Sequence, residues 1–287
     1  MKHYTALFLI SISLTAVAQA PVIHDLRQVS LAGGRTPAET AVSVGRQLLG
    51  RPYTPHTLDT TPTEELVVNL REFDCTTYVE TVLALALTWH ETTDRASQAF
   101  ERTFQAYLTK LRYRNGKIDG YASRLHYFSD WLRDNERRGL LSDVTGELPG
   151  SMRVAKPVSY MTTAPHKYPR LSDPATLKQL QLIEEALSQQ PFSFVPSRNI
   201  RLAESHLREG DIVMLTTARP GLDMRHVGFA VRRPNGRVHL MHASSDQGAV
   251  VITRYPLSNY LLYHKHLSGI RVARLRNGTV LTATARD

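Results

Sequence analysis

An α+β domain is what this sequence predicts, on three observations. Up to about residue 190 the apolar residues recur at helical spacing between recognisable caps. From residue 205 onward the period drops to two, in short runs rich in β-branched residues parted by Pro234-Asn235-Gly236 and Asp246-Gln247-Gly248. Helices gathered in one half and strands in the other indicate an α+β layout rather than alternating βαβ units, and the chain has no internal repeat.

Residues 1–20, MKHYTALFLISISLTAVAQA, have a Lys near the start, an apolar run and Ala18-Gln19-Ala20 as a small-residue cleavage site. This pattern predicts a secretory signal peptide and an exported, periplasmic mature chain starting near Pro21. The run is too short for a membrane anchor, and no later segment is apolar for long enough to span a bilayer. The remainder, 21–287, is read as one domain with a helical insert over about 92–200. The formal charge of +9 on the full chain comes with no Lys/Arg block long enough for a nucleic-acid patch, so no nucleic-acid partner is expected. Oligomeric state has no signature in the sequence.

Residues 36–50 carry Thr36 as N-cap, Pro37 at the first position, Glu39 to close a capping box and Gly50 as the stop. Tyr53 follows in a loop rich in turn residues. Residues 71–89 contain the only cysteine. Apolar Val79, Val82, Leu83, Ala86 and Leu87 predict a largely buried helix, capped by Asp74, with Cys75 in its first turn. Further helices are expected over 92–111, 120–139 and 173–190, with 141–170 as a surface excursion. The runs that follow predict an antiparallel meander, interrupted by a short helix at 257–263.

A free Cys is commonly a small buried hydrophobe. Two features favour reactivity instead. An exported chain with one cysteine has no internal disulfide to form, and the positive end of a helix favours thiolate over thiol. A thiol nucleophile needs a base held by a partner. His226 and His242 lie on strands joined by a hairpin, so His242 is placed to fix the His226 tautomer. Alternation puts His226, Gly228 and Ala230 on one face, with room there for the helix end. Over 120–139, Tyr121, Arg124, His126, Tyr127, Asp130 and Trp131 combine flat rings with charges, the composition of a sugar site, or equally an amphipathic helix with its core face. No metal is expected, since His239 and His242 point to opposite faces and His264 with His266 lacks an evident third ligand. No G-x-S-x-G, S-x-x-K or phosphate-binding glycine loop occurs, and no cofactor is expected.

Four segments in order, Phe73-Asp74-Cys75-Thr76-Thr77-Tyr78-Val79, Arg208-Glu209-Gly210-Asp211-Ile212-Val213, His226-Val227-Gly228-Phe229 and His242-Ala243-Ser244, resemble the motifs of NlpC-type cysteine peptidases. Leu49-Gly50-Arg51-Pro52-Tyr53 is similar to the segment that supplies their active-site tyrosine. The long gap before Cys75 and the large insert, with GYASRLHYFSDWL and GLDMRHVG, make the chain look like the N-acetylmuramoyl-L-alanine-amidase-like branch. The resemblance implies a papain-like core in which the catalytic helix packs on an antiparallel sheet. It implies Cys75 as nucleophile, His226 as base, His242 as its orienting partner, and a peptidoglycan fragment cut between the muramic lactyl group and L-Ala. Tyr53, Arg124, Tyr127, Asp130 and Trp131 are the expected substrate-binding residues. Two other readings stay open: a peptidase acting between D-Glu and the diamino acid of the stem peptide, and a noncatalytic wall-binding module.

Overall fold

The structure is a computed structural model that describes residues 33–59 and 61–276; the expected signal peptide lies outside the described residues. Seven α-helices and eight strands are present among them. Helix α1 is Pro37–Gln47, with Thr36 accepting from Glu39 N–H. The Glu39 carboxylate closes onto Arg35 N–H, one residue ahead of the expected partner. Helix α2 is Cys75–Glu91. Its capping box is reciprocal: Asp74 Oδ1 accepts from Thr77 N–H at 2.8 Å, and Thr77 Oγ1 accepts from Asp74 N–H at 2.9 Å.

Helix α3, Gln98–Arg112, begins later than the sequence suggested, because Thr92 caps the end of α2 and Ser97 caps α3. The helix expected over 120–139 is cut to α4, Phe128–Arg137. Upstream the chain makes a single 3-10 turn at Tyr121–Ser123 and then runs extended. Tertiary pairing overrides local propensity there, since Leu125 N–H donates to Arg112 O and Arg124 bridges to Tyr113. Helix α5 is Pro174–Ser188, α6 is Ile200–Ala203 and α7 is Leu257–Tyr263.

All eight strands join one antiparallel sheet: β1 Leu141–Asp143, β2 Met152–Val154, β3 Phe192–Pro196, β4 Ile212–Thr217, β5 Met224–Arg232, β6 Val238–Ser244, β7 Ala249–Ile252 and β8 Leu267–Leu275. The order is β2-β3-β8-β4-β5-β6-β7, with β1 also on β8. The expected meander therefore holds only for β4 to β7; after α7 the chain crosses back to lay β8 on the free edge of β4. The insert is not purely helical either, since it supplies β1, β2 and β3 to this sheet.

Both faces of the sheet are buried, and side-chain alternation divides them. Ile212, Met214, Val227, Phe229 and Met241 face the cluster that contains α1, α2 and α3. Val213, Leu215, Ala230, Leu240 and Val272 face the cluster under α6 and α7. The cysteine helix thus packs on Val227 and Phe229, with Tyr78 edge-on to Phe229 at 6.0 Å. This corrects the expectation that it would sit over Gly228 and Ala230. The larger apolar residues of β5 take the helix, and Gly228 serves the other face, where an added Cβ would meet the Cβ of His242 at 2.8 Å.

Candidate active site

Cys75 is the first residue of α2 and is half-buried. Its sulfur receives the backbone N–H groups of Thr76 and Val227, with Thr76 Oγ1 at 4.0 Å. Val227 is free to donate because the registered pairs of β5 and β6 run only from Phe229 with Met241 to Arg232 with Val238. The helix start meets the sheet where that ladder ends. In this way Cys75, carried on one face, reaches the cleft lined by His226 from the other.

His226 and His242 project from the same face of β5 and β6. His226 Nε2 lies 2.5 Å from His242 Nδ1, with the rings at 88°. His242 is buried, edge-on to Tyr260 at 5.8 Å. Burial dominates the electrostatics. It pushes the Cys75 thiol up to about 12, with the Asp74 carboxylate adding to the rise, and it pushes His226 down to about 4 and His242 well below the usual imidazole value. Without substrate the centre is therefore neutral, thiol beside imidazole pair. The thiolate expected at the helix start is outweighed by desolvation and by the capping Asp74.

These shifts set the acid stability. An imidazole whose folded pKa is depressed contributes stability that is complete above its unfolded pKa and is lost as pH falls through the folded one. His226, moved from 6.5 to about 4, and His126, moved by burial to about 3, place that loss between about pH 6.5 and 3. Urea midpoints are expected to be highest above pH 7 and to fall steadily through this window. Midpoints that stay level from pH 7 to 4 would contradict neutral burial of these rings.

Tyr53 is held beside Cys75 by main-chain pairing: its N–H donates to Gly248 O at 2.8 Å, and Phe73 N–H donates to Pro52 O. Two cavities meet at Tyr53 and Cys75. The larger, about 300 Å³, extends past His56, Leu58, Arg124 and His126. The smaller, about 220 Å³, extends past His226, Arg225, Asp246 and His266. Burial raises the Tyr53 hydroxyl to about 12, so it stays a donor at neutral pH.

Of the residues over 120–139 read as a sugar site, Arg124 and His126 line a cavity with the cysteine. Arg124 carries the charge there. It is ion-paired to Asp59 at 2.6 Å and Glu64 at 3.2 Å, which fixes the loop of residues 54–59 and 61–66 beside the larger cavity. Arg170 pins the same loop through the Thr61 and Pro62 carbonyls. Tyr127, Asp130 and Trp131 are buried elsewhere, a correction to the expected set. Tyr127 donates to Glu184 at 2.5 Å and so ties α4 to α5. Asp130 is bidentate to Arg114 at 2.6 and 2.9 Å. Trp131 is 1% exposed in the α2–α3 core. Truncating it to Ala is expected to lower unfolding free energy by about 3–5 kcal/mol in urea titrations, the cost of a large core cavity. A loss under about 1 kcal/mol would return the indole to the surface.

Sequence reasoning missed Asp59, Glu64 and Asp223. The buried Asp223 carboxylate accepts from Ser129 N–H at 2.7 Å and so caps α4 in trans, three residues ahead of His226. Among the described residues no group of three or more His, Cys, Asp or Glu is placed to hold a metal ion.

Residues 43–270 match the family described as N-acetylmuramoyl-L-alanine amidase-like, or AmiA-like. An N-acetylmuramoyl-L-alanine amidase from Bacteroides uniformis ATCC 8492 is 40% identical, with a TM-score of 0.76 over 83% of this chain and 99% of that one. A Bacteroides fragilis structure with the provisional name xylanase is 41% identical, with a TM-score of 0.73 over 80% of this chain and 99% of that one. A Legionella pneumophila protein shares the fold at 23% identity, with a TM-score of 0.63 over 91% and 94% of the two chains. No curated protein matches.

Proposed function

This chain belongs to the N-acetylmuramoyl-L-alanine amidase-like family, and from that premise we propose that it is an exported cysteine amidase cutting the amide between the muramic lactyl group and L-Ala of peptidoglycan fragments. The observation that carries the reading is one cleft holding Cys75, with backbone N–H groups on its sulfur, and His226 paired to His242. In the same reading the core is papain-like of the NlpC type, residues 21–287 form one domain, and residues 1–20 are removed on export.

His226 Nε2 is engaged with His242, so Nδ1 is the nitrogen that takes the thiol proton. Because both partners are neutral at rest, proton transfer accompanies sulfur attack on the lactyl carbonyl. The Tyr53 hydroxyl and the backbone N–H of Cys75, the first residue of α2, stabilise the oxyanion. The imidazolium then protonates the departing L-Ala amine, and water, activated by the same ring, hydrolyses the thioester. The larger cavity holds the sugar, walled by Arg124 and its loop.

Tyr53→Phe is expected to lower kcat about 10²-fold while KM changes little, because the hydroxyl acts on charge that develops after binding. Equal kcat for the two proteins would remove Tyr53 from the oxyanion site. The provisional xylanase name of the relative needs a free carboxylic acid opposite a carboxylate. Here the acidic residues of the larger cavity, Asp59, Asp74 and Glu80, are bonded to Arg124, to the Thr77 N–H and hydroxyl, and to Arg112, which disfavours glycoside cleavage.

Mass spectrometry of muropeptides after incubation tests the reading. Release of free stem peptides beginning with L-Ala supports it. Cleavage between D-Glu and the diamino acid would replace it by the peptidase reading, and intact muropeptides would leave a noncatalytic module.

A further inference from the structure

The two cavities meeting at Cys75 have different chemistry, and the reaction decides which half of the substrate enters which. A general acid delivers its proton to the leaving nitrogen, so the leaving half lies on the His226 side of the sulfur. That side is the smaller cavity, where Arg225 and Asp246 carry opposite charges and His264 and His266 stand 5.8 Å apart. Arg225 and Asp246 are both exposed, and no ion pair joins Arg225 to a carboxylate among the described residues. Asp246 lines this cavity together with Tyr53, Cys75 and His226.

Resting on the amidase reading, we propose that this smaller cavity is the leaving-peptide subsite and selects stem peptides with a carboxylate on the residue after L-Ala. Arg225 takes that carboxylate, and Asp246 faces the ammonium that L-Ala acquires on release. The charges of the cavity match those of the product peptide, an amine at its head and an acid one residue on. The larger cavity, whose Arg124 is already neutralised by Asp59 and Glu64, has no such demand and suits the uncharged hydroxyls of the glycan.

The test compares muramoyl-L-Ala-D-Glu with the same compound carrying the D-Glu α-carboxylate as an amide, on the wild-type chain, Arg225→Ala and Arg225→Lys. The wild type is expected to favour the acid over the amide by about tenfold or more in kcat/KM, the worth of an accessible charged hydrogen bond. Arg225→Ala is expected to erase that preference, acting through KM, and Arg225→Lys to restore part of it. Circular dichroism and melting of each variant show whether the fold is kept. Cleavage of both compounds with no preference, or a preference that survives Arg225→Ala, would overturn the subsite and leave the amidase reading standing. Failure of the wild type to cut either compound at the lactyl amide would overturn both.

Discussion

Cys75→Ala is expected to lower kcat at least about 10⁴-fold on muropeptides, to the level left by binding groups alone. Stability is expected to change by under about 1 kcal/mol, a melting shift of about 2–4 °C for a chain of this size. The reason for this separation is position. The sulfur is half-buried at a helix start, and α2 is fixed without it by the Asp74 and Thr77 capping box and by Val79, Val82 and Leu83 in the core. Calorimetry with a muropeptide assay checks both halves. A variant that melts far earlier while retaining its rate would make Cys75 a packing residue.

His226→Ala is expected to cost about 10³-fold in kcat, within the range for removing a general acid and base. The pH profile of the wild type carries a second, independent signature. Burial holds His226 near 4, so the ring is a competent base above that value and is lost as one below it. The acid limb of kcat/KM is therefore expected near pH 4, well below the usual imidazole value of 6.5. His242→Ala removes the partner at 2.5 Å and is expected to lower kcat by about 10–100-fold, since the base remains but its tautomer and rotation are no longer fixed. An acid limb near 6.5 in the wild type would contradict the neutral pair. Rates unchanged in His226→Ala would remove the ring from the reaction.

Much of this site was legible because it is local. Asp74 followed by Cys75 at the head of an apolar run specifies a capped helix start, and a Pro-Asn-Gly turn between two alternating runs makes β5 and β6 neighbours, which brings His226 to His242. The alternation was also present in β5, but its consequence was misjudged. Val227, Phe229 and Val231 form the more apolar face, and that face takes the helix. Residues brought together over long separations were not legible. Arg124 meets Asp59 across 65 positions, and Asp223 meets Ser129 across 94. Helical spacing cannot tell a sugar platform from a core face, so Trp131, which packs inward, was read as a ligand-facing ring. Strands β1 and β2 are three residues each, too short for alternation to mark them.

The central claim is that the Cys75 sulfur attacks the lactyl carbonyl, and intact-protein mass spectrometry during turnover tests it most directly. Enzyme mixed with a disaccharide peptide and quenched in acid within one turnover is expected to gain the mass of the disaccharide-lactyl acyl group. Fragmentation is expected to place that group on Cys75, and the stem peptide is expected to appear free in the same sample. An adduct that contains stem-peptide residues would mean that a different bond is attacked. Full product release from Cys75→Ala at the wild-type rate, with no adduct in either protein, would mean that the thiol takes no part.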